Sequence, residues 1–296
     1  MSVSTNPHIR LRLQGRSGCA VTLRETADGV IVRKHSRSRS YNSRLVRQCE
    51  KHESSIALLR GLPGIAVPKV LDSGIDSESG LAWYDMEYIA GEKFSEFLVR
   101  LPVRELEQVF EHIVGLMRFE FTRSRTQETR QDIFIRKLRE LSCVFASDRD
   151  RFAFAEDRCL QLLGSIPDVP LRRGFCHGDL TFSNLILQDG IIYLIDFLDS
   201  FVESPFIDFV KLRQDTKHLW SLTVDSSLQR HEINKISQVF AFFDNILLEN
   251  LRLTPAEEAW CQFLERMNLL RVLPYLDNVA EIAFVRNILF AGDIVQ

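Results

Sequence analysis

The sequence predicts an α+β fold in two lobes, a β-rich N-terminal lobe followed by a mainly helical C-terminal lobe. Three observations predict it. Residues 9 to 35 alternate apolar and polar side chains in short runs separated by turn residues, the period of half-buried strands. From Phe94 to Leu163, and again from Ile207 onward, Leu, Phe and Val recur every three or four residues, the period of helices packed on a core. Between these helical stretches, Leu185 to Asp196 breaks the helical period with two apolar runs about Asp189-Gly190, a two-residue hairpin turn.

In chain order, Ile9 to Leu13 and Val21 to Glu25 read as strands, Ala27-Asp28-Gly29 as a hairpin turn, and Val30 to Lys34 as the return strand. Arg44 to Leu62 reads as a helix with Leu45, Cys49, Ile56 and Leu59 near helical spacing, ended by Pro63-Gly64. Val67 to Leu71 and Leu81 to Ile89 read as further strands. Gly91 marks a change of composition. It divides the chain into an N-terminal lobe, 1–90, and a C-terminal lobe, 91–296, joined by a connector near 87–93. The hairpin at 185–196 is expected as an isolated pair inside the helical lobe. Leu253-Thr254-Pro255 is a loop that leads into a helix at Ala256-Glu257-Glu258.

Composition excludes several classes. The 296 residues are 45% apolar and 26% charged, as in a soluble globular protein with a sizeable core. The net charge of −3 lacks the positive surplus of a non-specific nucleic-acid binder. The six cysteines, at 19, 49, 143, 159, 176 and 261, make neither a CxxC pair nor a zinc-site spacing, and scattered thiols suit a reducing compartment. Met1 to Arg16 lacks a signal-like apolar core, and no apolar run reaches the roughly 18 residues of a membrane span. The expectation is a cytoplasmic protein without a membrane or nucleic-acid partner. Nothing in the sequence sets its oligomeric state.

The chemistry is concentrated in Cys176-His177-Gly178-Asp179-Leu180-Thr181-Phe182-Ser183-Asn184-Leu185-Ile186-Leu187, followed by Tyr193-Leu194-Ile195-Asp196-Phe197. A polar loop with an Asp and an Asn five apart runs into an apolar hairpin. The hairpin returns the chain, so that Asp196 ends near Asn184. Two carboxylates and an amide oxygen are thereby gathered. Phosphoryl transfer from ATP uses such a set: one Asp accepts the hydroxyl proton, while an Asn and a second Asp offer hard oxygen ligands to Mg²⁺.

This segment resembles the catalytic and metal-binding loops of the aminoglycoside phosphotransferase and choline kinase-like family, which shares the protein-kinase-like fold. In that family the loop reads His-Gly-Asp with Asn five residues after the Asp, and a later Asp sits in an Ile-Asp-Phe triplet. The resemblance implies that Asp179 is the catalytic base and that Asn184 and Asp196 are the metal ligands. His177 is similar to the family's shape-holding loop histidine. Gly178 stands where protein kinases carry Arg, which favours small-molecule acceptors. Asp208 is similar to a downstream Asp that opens a helix and braces the loop, although an Asp at a helix start is also a common cap. Asp199 either approaches the metal or substrate or is simply solvated.

The same resemblance assigns the nucleotide clamp. Alternation puts Val30, Val32 and Lys34 on one strand face, with Lys34 at the end of an apolar row. The resemblance makes Lys34 the contact to the α- and β-phosphates. Glu53 is its expected helix partner, with Glu50 one turn earlier as the alternative. Gly15-Arg16-Ser17-Gly18 would turn backbone N–H groups to the phosphates, with Gly15, Ser17 and Gly18 as the residues of that loop. Met86 to Gly91 is similar to the family hinge, where backbone groups of Glu87 and Ile89 pair with adenine. Ile186 and Ile195 would floor the base. The implied function is transfer of the γ-phosphate of ATP, with Mg²⁺, to a hydroxyl of a small polar molecule such as a sugar, aminoglycoside or amino alcohol. The alternatives are the same chemistry on a protein and a non-catalytic nucleotide-binding partner. The region after Asp208 mixes Lys211, Arg213, Lys217 and His218 with Asp215, which does not predict a strongly cationic acceptor.

Overall fold

The computed structural model describes residues 8–13, 18–27, 29–224 and 228–291. The elements are β1 (His8–Leu13), β2 (Cys19–Thr26), β3 (Gly29–Ser36), α1 (Asn42–Leu58), β4 (Ile65–Ala66), β5 (Val70–Ile75), β6 (Ala82–Glu87) and β7 (Glu92–Lys93). There follow α2 (Phe94–Arg100), α3 (Val103–Arg123), β8 (Arg125–Gln127), α4 (Gln131–Ala146), α5 (Arg149–Leu163) and β9 (Leu171–Arg173). The chain then forms β10 (Leu185–Gln188), β11 (Ile191–Leu194), α6 (Pro205–Thr216), α7 (Trp220–Val224), α8 (Arg230–Leu251), α9 (Pro255–Val272) and α10 (Val279–Ala291). The fold is α+β, with a strand-rich first part and a helical remainder. Among the described residues no helix is long and apolar enough to cross a membrane.

The chain forms two compact units. The first holds the described residues up to Phe94 together with Asn184–Asp199. Its larger sheet has the order β1-β2-β3-β6-β5 and is antiparallel throughout. Alternation along β3 buries Val32, Lys34 and Ser36 and leaves Arg33 and His35 half-exposed. The buried face packs on α1 in a core of Cys19, Val32, Leu45, Cys49, Ala82, Tyr84 and Met86. The inner face of α1 also carries the buried polar groups Gln48, His52 and Ser55, which the apolar periodicity does not mark. The helix ends at Leu58, earlier than Leu62, because Gly61 and Gly64 both adopt the left-handed backbone. The strand expected at 67–71 is divided around Pro68, which has no N–H to give a ladder. The turn residue Asp28 lies outside the described residues.

The hairpin β10–β11 is not isolated. It forms the middle of a four-stranded sheet, β4-β11-β10-β7, parallel to β4 and antiparallel to β7. Two-residue strands at 65–66 and 92–93 carry no periodicity of their own, so the sequence shows only the hairpin they flank. Asp189 and Gly190 have φ of 52° and 77°, the positive pair that a type I′ turn needs. Gly91 crosses this sheet so closely that a Cβ there would lie 2.5 Å from the Leu187 carbonyl oxygen.

The second unit comprises Ser95–Ser183 and the chain from Ser200. Its centre is α6. Ten of its twelve residues are buried, and α3, α8 and α9 pack around it. Ser204 caps it, accepting from the N–H of Phe206 at 3.3 Å, with Pro205 at the first helical position. Helix α9 begins with a capping box between Thr254 and Glu257, at the loop the sequence marks. Strands β8 and β9 pair with each other outside the sheets of the first unit.

Candidate active site

In the first unit, the alternation of β3 drives Lys34 into the core, where its side chain is 3% exposed. A buried ammonium needs a counter-charge, and Lys34 has one in Asp196, to which its Nζ donates. Burial works against the charge, but Asp196 outweighs it and holds the Lys34 pKa above the ordinary lysine range. Tyr84 lies beside the ammonium, and burial raises its phenol to about 12. Asp196 itself has φ of 66°, a left-handed backbone that Asp tolerates better than most residues. One residue earlier, the Ile195 N–H donates to the Asn184 carbonyl at 3.1 Å. Hairpin closure thus puts Asn184 and Asp196 at the same end of β10–β11. Asn184 is 9% exposed, whereas the Asp196 side chain is 38% exposed.

Neither expected glutamate meets Lys34. Glu50 and Glu53 both lie on the exposed side of α1. The inner side at that level carries His52, which donates to the Pro68 carbonyl at 2.7 Å and packs between Tyr84 and Phe197. Burial lowers His52 to a pKa of about 4. The outer part of α1 grips the segment after Asp196 instead. Lys51 donates to the Leu198 carbonyl at 2.8 Å, and Arg47 pairs with Asp199 at 2.6 Å. Asp199 is therefore spent on a largely exposed ion pair.

Gly15 and Ser17 lie outside the described residues. Gly18 is described, and its carbonyl accepts from the Arg37 N–H at 3.0 Å. The Glu87 N–H donates to the Lys69 carbonyl at 2.9 Å, so that N–H is engaged within the sheet, and Glu87 stands opposite Ile31 across β3–β6. Ile89 is buried. Ile186 and Ile195 are half-buried. Pairing of Ile186 with Tyr193 puts all three on one face of the hairpin, opposite buried Leu185, Leu187, Ile192 and Leu194.

In the second unit, the loop from His177 to Ser183 is tied down by α6. Asp208 is fully buried and accepts from the N–H groups of His177 and Gly178, the latter at 2.8 Å. Its role is to brace the loop, since Ser204 caps the helix. Two turns on, buried Asp215 accepts from the N–H of Phe182 at 2.7 Å and of Ser221 at 2.9 Å. Burial raises Asp215 to about 6, and the bonds to Ser221 and Phe182 restrain that rise. The Phe182 ring is fully buried against Phe240 and Phe243, worth about 2–3 kcal/mol of apolar burial. His177 accepts the Asp179 N–H on Nδ1 at 3.2 Å, and the Thr181 N–H returns to the Asp179 carbonyl at 2.8 Å.

Between the two braces, Lys211 places Nζ 3.0 Å from the Asp179 carboxylate. Burial would raise the Asp179 pKa, but Lys211 overcomes it and lowers the value, with His177 and Arg271 adding to the effect. Residues 208, 211 and 215 follow the i, i+3, i+7 rule for one helix face. In the sequence Lys211 and Asp215 stand out only as charges in a mixed region. Two charged residues, Asp208 and Lys211, inside the otherwise apolar run Phe206 to Leu212 are the signal that points to buried partners.

The family model described as the phosphotransferase enzyme family, APH, matches residues 9–234. The chain belongs to this family. This phosphotransferase matches no curated protein in sequence. Among solved structures it is similar to the streptomycin–ATP–APH(2")-IIa ternary complex, at 15% identity and a TM-score of 0.56, over 98% of this chain and 92% of that one. It is also similar to a thermostable mutant of the aminoglycoside phosphotransferase APH(4)-Ia bound to ADP and hygromycin B, at 16% identity and 0.58, over 95% and 92%. A protein assigned as a fructosamine-3-kinase from Haemophilus somnus 129PT gives 12% and 0.60, over 99% and 92%. These likenesses establish the kinase-like fold of the phosphotransferase.

Proposed function

We propose that this phosphotransferase moves the γ-phosphate of ATP, with Mg²⁺, to a hydroxyl of a small polar molecule in the cytoplasm. The observation that supports this reading is the grouping of Asn184, Asp196 and Lys34. An amide and a carboxylate stand at one end of a hairpin, and the carboxylate is already matched to a buried ammonium. The residues fit the ion. Asn184 and Asp196 offer oxygen donors, and Mg²⁺ is commonly held by one or two protein oxygens plus substrate phosphates rather than by a closed protein cage. When bound, the ion offsets the charge on the phosphates.

Asp179 accepts the proton as the acceptor oxygen bonds to the γ-phosphorus and the bond to the β,γ-bridging oxygen breaks, releasing ADP. The lowered pKa of Asp179 keeps it ionised and able to receive that proton at neutral pH. Lys34 holds the α- and β-phosphates, Gly15, Ser17 and Gly18 form the phosphate loop, and Ile186 and Ile195 take the adenine face. With the Glu87 N–H spent on Lys69, pairing to the base falls to the other backbone groups of 87–89. The structural relatives carry ATP, ADP or GDP, which supports a nucleotide donor.

The test is ADP release with Mg-ATP over a panel of sugars, amino alcohols and aminoglycosides, with thermal shift by Mg-ATP as the binding readout. Failure to bind Mg-ATP and failure to release ADP with every acceptor would defeat the reading.

A further inference from the structure

Lys211 approaches Asp179 from α6 through a side chain that is 14% exposed, while Asp179 is 25% exposed. The other two carboxylates on this helix face, Asp208 and Asp215, are fully buried and occupied by backbone N–H groups of the loop and of Ser221. What the second unit presents to solvent at this point is thus one carboxylate with an ammonium against it. Arg271 strengthens the positive side. Its guanidinium lies over the Phe201 ring, donates to Asn268 at 2.8 Å, and contributes to the field at Asp179.

A base that removes a hydroxyl proton must stand about 2.6–3.2 Å from that hydroxyl. An acceptor hydroxyl on Asp179 therefore comes within a few ångströms of the Lys211 ammonium. That ammonium carries three N–H donors, and among the described residues Asp179 is its one direct carboxylate contact, with buried Asp215 acting on it only through its field. A cationic group next to the reacting hydroxyl meets like charge here. A carboxylate or phosphate on a neighbouring carbon meets Lys211 in a partly desolvated site, with Arg271 adding to the positive field, and charge complementarity there decides between partners.

We propose that Lys211, supported by Arg271, selects an acceptor whose reacting hydroxyl lies close to an anionic group, a hydroxy acid or a sugar phosphate, over a cationic one. This inference rests on Asp179 acting as the base of the proposed phosphotransfer.

The test uses the full chain with Mg-ATP and two acceptor sets of matched skeleton. One is glycerol, glycerate, glycerol 3-phosphate and 3-amino-1,2-propanediol. The other is glucose, glucuronate, glucose 6-phosphate and glucosamine. The anionic members should exceed the cationic ones by about tenfold or more in kcat/KM, chiefly through KM. The carboxylate and phosphate arms separate the two sources of the anion. In Lys211→Gln the ratio of anionic to neutral turnover should collapse, and in Lys211→Glu it should invert. As a readout free of turnover, glycerate, glucuronate or the two phosphates should raise the melting temperature of the Mg-ADP-loaded wild type more than that of Lys211→Glu. Preference for the cationic members, an unchanged ratio in Lys211→Gln, or equal anion stabilisation of wild type and Lys211→Glu overturns the proposal while leaving phosphotransfer standing. If Mg-ATP neither binds nor turns over, both readings fall together.

Discussion

Lys34 with Asp196 and Lys211 with Asp179 are the same chemical pair, one in each unit, built from opposite ends of the side-chain repertoire. In the first unit the lysine is the buried member, at 3% exposure, and the aspartate reaches solvent at 38%. In the second unit the two are nearly matched, at 14% and 25%. A strand interior fixes Lys34, so its pair sets the charge of a core position, and Asp196 raises its pKa against the cost of burial. Lys211 stands on a helix surface that faces a loop. There the lysine acts on the aspartate, lowering its pKa against the same cost. The difference teaches that an ion pair's function follows from which partner is held by the backbone framework and which remains free to meet a ligand.

Breaking the two aspartates should separate these roles. Asp179→Asn should lower kcat by about 10³-fold, the range for loss of a general base, with Mg-ATP binding by calorimetry close to wild type. Asp196→Asn should weaken Mg-ATP binding itself. Retained turnover in Asp179→Asn would remove Asp179 as the base.

The loop that carries Asp179 depends on α6, whereas the Asp196 side chain depends on a hairpin. Asp208→Ala leaves two buried N–H groups without an acceptor, at about 3 kcal/mol. The melting temperature should fall by roughly 6–12 °C, given about 2–4 °C per kcal/mol in a chain of this size. A fall of under about 2 °C would show that the loop keeps its form without the brace.

One buried group in each unit, His52 and Asp215, should answer acid with opposite sign. His52 has a folded pKa of about 4 against an unfolded value of 6.5, so the unfolded chain binds its proton first. Its contribution is intact above pH 6.5 and is lost as the pH falls toward 4. Asp215 has a folded value of about 6 against 3.8, so the folded chain binds its proton first. That contribution is present below pH 3.8 and is lost as the pH rises through 6. Each amounts to about 3 kcal/mol at most, at 1.36 kcal/mol per pKa unit. Urea unfolding from pH 4 to 7 should show wild type gaining on His52→Gln as the pH rises and losing on Asp215→Asn. Parallel curves would refute the assigned shifts.

The smallest effect belongs to the exposed Arg47–Asp199 pair. Asp199→Ala should change unfolding free energy by less than about 1 kcal/mol. A larger loss would mean that α1 secures the segment after Asp196 through this contact rather than through Lys51.

Much of this was legible in the chain. The period of two in β3 already put Lys34 on the buried face, and Asp189-Gly190 demanded a hairpin that returns Asp196 toward Asn184, because strand alternation and turn chemistry act over neighbouring residues. The spacing of His177, Gly178, Asp179 and Asn184 carried the family. What stayed hidden acts over distance. Helical position alone offers Glu53 or Glu50 on α1 to Lys34, yet the sheet beneath takes His52, Gln48 and Ser55 on the inner face. The tie from Asp215 to Phe182 spans 33 residues, and Lys211 reaches Asp179 across 32. No local period encodes which helix will lie beneath a loop. That is decided when α6, buried on nearly every side, takes the centre of the second unit, and its charged side chains must find partners there.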